Sequence, residues 1–564
     1  MFEVIDTSKR ITAESRINIA GRDVESLNGF WSFGIDQYDS CLRNGWYKEY
    51  EKDADGRPLP LDYSFDQWER VPVPSCWNML DEKYFLYEGS AVYTRKFRYI
   101  NRGEARVFLR FGAANYAAHV FLNRESLGVH YGGSTDFAAE VTDLLKEENR
   151  LLVVVNNTRG SSRVPMENTD WFNYGGLYRD VSLVRLPEKF IRDAAFSYRD
   201  GKIKVAADAD GTVYIDELGI AQKFSKTAEI PARPELWSPE NPKLYDVRVE
   251  ADGDVFRDRV GFREIAVDGT KILLNGKEIY LRGVSAHEES AANGKAVTEE
   301  EIRETFAIAK EMNCNFMRLA HYPHTELAAK IADEIGLLLW EEVPVYWDIS
   351  FTNPETYADA KNQLTELILR DRNRASVVIW SVGNENPDTD ERFKFMSGLA
   401  DVCRELDSTR LVSAACLVDH AGLKIADRLA DKLDIIGVNE YYGWYEPDFS
   451  KLPRIFENSR PSKPVVISEF GADAKSGAHG TPDDMYTEEN QLEVYRRQIE
   501  TLRAIRYVRG MTPWILFDFR CPRRLHYMQN RYNPKGLLSS DKKHPKLAYY
   551  AMKSFYEEIR HNML

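Results

Sequence analysis

Cysteine is scarce: six copies are scattered through 564 residues, at positions 41, 76, 314, 403, 416 and 521. The closest two, Cys403 and Cys416, stand 13 positions apart. With no CxxC pair and no framework spacing, a disulfide scaffold and a thiolate metal site are both excluded. Positive charge is also in deficit. Lys and Arg number 75 against 89 Asp and Glu, a net charge of −14, which argues against nonspecific binding to nucleic acid or to an anionic membrane surface. No apolar run approaches the roughly 18 residues of a membrane span. The start, Met1 to Arg10, lacks the basic-then-apolar pattern of a secretory leader, which predicts a cytoplasmic protein. On that expectation the acceptor triplet Asn156-Asn157-Thr158 is a chance match. Solenoid repeats, low-complexity linkers and a glycine-rich phosphate loop are lacking as well.

What is present is enough apolar sequence for several cores, 43% hydrophobic with 29% charged, in a chain long enough for about three to five domains. Residues 1–185 read as short strands broken by turns. Arg106-Val-Phe-Leu-Arg-Phe111 stops at Gly112, and Leu151-Leu-Val-Val-Val155 stops at Asn156-Asn157. That spacing predicts an antiparallel sandwich. Residues 186–266 form a second β segment with the length of a small immunoglobulin-like sandwich. From 267 to 564 apolar strands alternate with amphipathic helices. Eight strands are read, at 279–284, 314–319, 337–342, 377–382, 411–415, 435–438, 464–468 and 514–517, with helices such as 299–312, 325–335 and 491–508 between them. Strand and helix repeated eight times predict a (β/α)8 TIM barrel, whose reactive residues should stand at the carboxyl ends of the strands.

Two carboxylates stand there. The fourth strand, Val377-Val-Ile-Trp-Ser-Val382, runs into Gly383-Asn384-Glu385, and the seventh, Val465-Val-Ile-Ser468, runs into Glu469. A buried strand ending in Glu incurs a desolvation cost unless the carboxylate is used or paired. Two such ends on one rim converge on the axis, and a close carboxylate pair is the apparatus of a retaining glycosidase. The competing reading is that either Glu only salt-bridges a neighbouring Arg, such as Arg318 or Arg282.

These residues carry a family resemblance. Val377 to Glu385 and Val465 to Gly471 resemble the two signatures of glycoside hydrolase family 2, the β-galactosidase, β-glucuronidase and β-mannosidase group. Leu27-Asn-Gly-Phe-Trp31, Val71-Pro-Val-Pro74 and Tyr93-Thr-Arg-Lys-Phe97 resemble its N-terminal jelly-roll. Gly261-Phe-Arg263, Leu274-Asn-Gly276 and Leu281-Arg-Gly-Val284 resemble the join between its immunoglobulin-like domain and barrel, and Arg318-Leu-Ala-His-Tyr-Pro323 its second-strand motif. The resemblance implies a jelly-roll domain at 1–185, an immunoglobulin-like sandwich at 186–266 and a catalytic barrel at 267–564. It implies Glu385 as the general acid/base, Glu469 as the nucleophile and Asn384 as the partner of the sugar 2-OH.

For the sugar, Asn533-Pro-Lys535-Gly536 has the N-x-K spacing that resembles the glucuronidase clamp on a C6 carboxylate: Lys supplies a charge and Asn a neutral donor. A turn with a solvated Lys is the plain alternative. Tyr441 and Tyr445, in Asn439-Glu-Tyr-Tyr-Gly-Trp-Tyr445, resemble sugar-packing tyrosines, with an aromatic brace as the other reading. Asp170 resembles a sandwich-domain Asp that reaches sugar hydroxyls, Trp514 a sugar platform, and His287 a family active-site histidine. A structural role stays open for both Asp170 and Trp514. The implied function is a retaining exo-β-glucuronidase acting on β-hexuronides, with β-galacturonidase or β-galactosidase as alternatives and a noncatalytic carbohydrate-binding protein as the rival class. No metal or cofactor is implied: His321-Tyr-Pro-His324 has HxxH spacing, but Pro323 disfavours a helical metal pair. The family implies a homo-oligomer. Two features depart from the pattern. The loop after the third strand is short, reaching the next helix by about Pro354, which implies an open mouth. Arg520, Arg523 and Arg524 precede the N-x-K segment, either extending the anion site or bracing the loop.

Overall fold

The computed structural model describes residues 9–48, 57 and 65–563. Residues 1–8, which carry most of the leader reading, lie outside them. The first domain is a sandwich of two antiparallel sheets. In the six-stranded sheet Ser90–Arg98 pairs along its length with Glu148–Asn156, and in the four-stranded sheet Val181–Leu186 pairs with Arg106–Phe111. Alternating apolar residues, among them Trp31, Tyr93, Leu109, Val120 and Val153, meet between the sheets and are fully buried. That is the aligned packing a period-2 pattern produces. The second domain pairs a three-stranded sheet with a four-stranded one, built from seven strands between Ala194–Arg199 and Asp254–Val260. Its core is Val205, Val213, Val247, Val249 and Phe256.

The barrel is closed. Its strands are β1 Leu281–Ala286, β2 Phe316–Leu319, β3 Leu338–Glu342, β4 Val377–Asn384, β5 Leu411–Leu417, β6 Ile436–Asn439, β7 Val465–Glu469 and β8 Val508–Met511, with β8 pairing back to β1. Every residue of β1 to β4 is buried, as expected of parallel strands covered on both faces. A three-stranded meander spanning 265–279 closes the amino end, packing Ile272 and Leu274 with Leu281, Phe316, Trp340 and Val466. Helices α1 Glu299–Glu311, α2 Glu326–Ile335, α3 Pro354–Asp371, α4 Asp390–Leu406, α5 Lys451–Asn458, α6 Glu488–Leu502 and α7 Leu547–Met563 cover the outside. Helix α1 starts with a reciprocal capping box between Thr298 and Glu301, which satisfies two otherwise unpaired donors.

The eighth strand corrects the sequence reading. It is Val508–Met511 and not 514–517, and the helix before it ends at Leu502 instead of continuing to 508. Val508-Arg-Gly-Met511 is short and interrupted by Arg and Gly, so its apolar signal is weak. The stronger run at 514–517 is broken by bends at Trp514 and Leu516 and forms no barrel strand; its backbone bonds the segment at 535–538, with single bonds to Phe470 after β7 and to Ser285 of β1. Trp514 therefore stands just past β8, on the rim. Among the described residues, no helix is long and apolar enough to cross a membrane, and none of the six cysteines, all buried, forms a disulfide.

Candidate active site

At the carboxyl end of the barrel lies a cavity of about 310 Å³. A larger cleft, about 570 Å³, opens at the opposite end beside the second sandwich. Its charges are matched internally, Arg374 with Asp258 for example, and that end of a barrel serves stability.

Both sequence-predicted carboxylates line the 310 Å³ cavity. Glu385 follows β4 with φ +53°, a left-handed conformation that costs a non-glycine residue about 1–2 kcal/mol. It is held there by its own N–H on the Ala415 carbonyl at 2.8 Å. The β4–β5 register shifts between Ser381 and Asn384, and the β6–β7 register shifts between Val438 and Asn439. Such irregularities re-aim side chains at strand ends, and here they bring Asn439 to Glu385. Asn439 Nδ2 donates to Glu385 Oε1 at 3.1 Å, and Trp347 Nε1 donates to Oε2 at 2.7 Å. Burial, followed by the negative charge of Glu469, pushes the Glu385 carboxyl up to about 7. Glu469 is placed differently: Arg318 donates to Oε1 at 2.7 Å and Tyr441 O–H to Oε2 at 2.7 Å. The ion pair supposed by the competing reading is thus present between Glu469 and Arg318, although Glu469 also lines the cavity. Glu385 has no such cation, and Arg282 instead bonds the Asn313 carbonyl.

Arg318, itself fully buried, also donates to Glu342 at 3.0 Å and to Asn384 Oδ1 at 2.7 Å. Burial raises the Glu342 carboxyl, but Arg318 and His321 outweigh it and hold the group down at about 2. Asn384 lies just under the cavity floor and leaves Nδ2 buried with no partner, a donor suited to a hydroxyl. His287 is not among the residues lining the cavity. It stands one layer back against Trp514 and Phe519, with ring centroids 5.3 and 4.3 Å away, and Nδ1 meets the Tyr322 hydroxyl at 3.1 Å. It was expected as an active-site histidine, and it stands in the layer directly behind the lining residues Trp514 and His321. Apolar packing of the neighbouring rings draws it inward. Trp514 lines the cavity and stacks on His321 at 4.7 Å.

The N-x-K residues are in the same cavity. Lys535 is buried and paired with Asp473, which also accepts from Gln529 at 2.7 Å; the Lys535 ammonium donates to the Tyr445 hydroxyl at 2.9 Å. Burial alone would depress this ammonium, but Asp473 holds it above its usual value. The solvated-turn alternative is thereby removed. Asp170 enters from the first domain, its chain anchored by Trp171 in a cluster with Tyr322, Tyr346 and Trp514. Arg524 grips it through Nε at 3.0 Å and Nη2 at 2.5 Å, and Asn533 donates at 2.9 Å. Burial pushes its carboxyl up, and the Arg524 charge more than offsets this, holding it below the usual range.

The three arginines separate. Arg524 joins the site and also reaches the Tyr445 hydroxyl at 3.2 Å. Arg520 braces the loop on Ala291 and Glu289. Arg523 lies over the Trp347 ring, 5.0 Å from its centroid. Sequence reasoning left Arg318, Asn439 and Trp347 out of the site and did not name Asp473. A charged residue inside the short buried strand Phe316–Leu319 was the available signal for Arg318. Eleven residues, 343–353, separate β3 from α3, so the mouth has no long third-strand insertion over it. Among the described residues, no three His, Cys, Asp or Glu side chains group as metal ligands.

The chain matches family models over most of its length: "Glycosyl hydrolases family 2, sugar binding domain" at 24–187, "Glycosyl hydrolases family 2" at 197–263, and "Glycosyl hydrolases family 2, TIM barrel domain" at 265–561. It is 28% identical to a β-glucuronidase of Paenibacillus borealis, with 95% of this chain and 97% of that protein covered. The crystal structure of Ruminococcus gnavus β-glucuronidase is similar at a TM-score of 0.85 and 26% identity, covering 97% of this chain and all of that one. A β-galacturonidase from Eisenbergiella tayi bound to galacturonate is similar at a TM-score of 0.80 and 26% identity, covering 95% and 97%.

Proposed function

The chain belongs to glycosyl hydrolases family 2 and is a glycoside hydrolase, and from that premise we propose that it removes terminal β-D-glucuronides by retaining double displacement. The observation that carries this reading is the sharing of one cavity by Glu385, Glu469, Asn533 and Lys535. Glu385, raised to about 7, holds a proton near neutrality and donates it to the leaving oxygen. Glu469, ordered by Arg318 and Tyr441, attacks the anomeric carbon. The glycosyl–Glu469 ester removes the negative charge that helps raise Glu385, so Glu385, whose proton has left with the leaving group, stays ionised and serves as base on water in the second step.

In this reading the substrate's C6 carboxylate meets Lys535, Asn533 and Arg524, and charge-assisted hydrogen bonds there select it over a neutral hydroxymethyl group. Asp170, whose two oxygens are already engaged by Arg524, Asn533 and the Cys521 thiol, orders those donors beside the sugar. Trp514 underlies the ring. The short third loop leaves room for a saccharide aglycone.

A β-galacturonide is the second reading, supported by the similarity to the galacturonate-bound enzyme. A panel of chromogenic β-glucuronide, β-galacturonide, β-galactoside and β-glucoside substrates tests the choice. The reading expects the β-glucuronide to react fastest. A faster galacturonide replaces it with the second reading, and silence on every member overturns both.

A further inference from the structure

The short loop after β3 is joined to the end of β4 by contacts on both sides of Glu385. Asn384 N–H donates to the Val345 carbonyl at 2.9 Å, and Trp347 N–H donates back to the Asn384 carbonyl at 2.9 Å. Asn386 Nδ2 donates to the Trp347 carbonyl at 2.6 Å. Between these two neighbours, the indole N–H reaches Glu385 Oε2 at 2.7 Å. Trp347 itself has φ +55°, a conformation that persists in a bulky residue only where its surroundings over-determine it. Tyr346 stacks on the indole with centroids 4.5 Å apart, and the Arg523 guanidinium lies 5.0 Å from the ring centroid. Arg523 is in turn tied to Asn168 of the first domain at 2.7 Å. Its nearest carboxylate, Asp170, is 3.9 Å away and already gripped by Arg524.

From this geometry we infer that Trp347 is the positioning residue of the general acid/base: it locks the Glu385 carboxyl in one orientation and restrains its hold on a proton, with Arg523 clamping the indole. The inference rests on the reading of Glu385 as acid/base. An indole N–H is a donor only, so Oε2 accepts from it in both protonation states, as Oε1 does from the Asn439 amide. A donor aimed at a carboxyl favours its ionised form. The indole and the Asn439 amide therefore oppose the upward push from burial and from Glu469 on β7. The other polar groups around Glu385 are Arg318 on β2, Tyr346 beside Trp347 and Tyr441 after β6. None of these hydrogen-bonds the Glu385 carboxyl, which leaves the indole and the Asn439 amide as its donors, and removal of the shorter of the two, the indole N–H at 2.7 Å, should move its titration. It also holds the acid in place for leaving groups that need a proton.

The test compares wild type with Trp347→Phe, which keeps a ring and deletes the N–H, on aryl glycosides of graded leaving-group ability. The basic limb of the kcat/KM profile, where the acid loses its proton, should move up by about one pH unit. Poor leaving groups should lose at least about tenfold more activity than activated phenols. Arg523→Gln, a change at a half-exposed side chain, frees the indole without deleting its N–H and should move both readouts the same way by less. It also decides the matter if the Phe variant does not fold. A limb within about 0.2 pH unit of wild type in the variants that fold, with equal losses across leaving groups, would mean a merely structural tryptophan and overturn the inference. The reading of Glu385 fails separately and earlier, if Glu385→Ala keeps wild-type activity on poor leaving groups.

Discussion

Arg318 and Glu469 meet at 2.7 Å across the barrel, from the second strand to the end of the seventh, with both side chains at least 95% buried. The same guanidinium bridges to Glu342 and Asn384, so one cation organises the proposed nucleophile, a buried structural carboxylate and the proposed 2-OH donor. Breaking such a network by removing one partner typically costs about 3–5 kcal/mol, because the charges left behind remain buried. Arg318→Met should lose stability of that order in urea denaturation. An Arg318→Met protein as stable as wild type would show the network to be energetically idle.

The raised Glu385 carboxyl has a signature in stability as well as in rate. Its ordinary value is 4.5 and its folded value about 7, so the folded state holds the proton more tightly. The associated stability is fully present below pH 4.5 and is lost as pH rises through 7. Glu385→Gln removes this dependence. Its stability relative to wild type should rise between pH 5 and 8 by an amount on the order of 3 kcal/mol. Glu289 and Glu440 are also pushed up to about 7 by burial. Both proteins keep them, so the difference between the two Tm–pH curves isolates Glu385. Parallel curves would contradict the assignment.

The barrel was legible because its first seven strands are apolar runs bounded by polar ends, a pattern that burial on both faces imposes. The eighth was not, since Val508–Met511 carries Arg509 and Gly510 and the run following it competes. Glu385 and Glu469 were legible as strand-end carboxylates, and Lys535 and Asn533 through their spacing. Their partners were not. Trp347, Asp473 and Arg524 come from separate loops, and which charge meets which is decided by side-chain reach after the loops are placed. Asp170 was expected to face the sugar. That Arg524 and Asn533 already hold it depended on how the first domain docks.

Loss of the two carboxylates should have different consequences. Glu469→Ala should abolish activity on every aglycone. Glu385→Ala should spare the first step for activated phenols, and added azide should rescue its turnover with a β-glycosyl azide as product. An α-azide would show that the retaining assignment is wrong.

Lys535 separates a uronidase from an enzyme for neutral sugars. A hydrogen bond to a charged group contributes about 1.5–3 kcal/mol, so each lost contact should cost roughly 10- to 150-fold in kcat/KM toward a uronide. Lys535→Ala should therefore lower the ratio of uronide to matched neutral glycoside hydrolysis. It also leaves Asp473 buried without its cation, which lowers stability and both rates together. The ratio is thus the informative quantity, and a flat ratio would move the neutral-sugar alternative to first place.

The central claim is that Glu469 attacks a β-glucuronide and carries it as a covalent ester. Incubation with a 2-deoxy-2-fluoro-β-glucuronyl fluoride slows breakdown of that ester, and peptide mass spectrometry then locates it. One fluoroglucuronosyl group per chain, on the peptide containing Glu469, is the predicted result. Label on Glu385, or no label from a protein that hydrolyses the parent β-glucuronide, would contradict it.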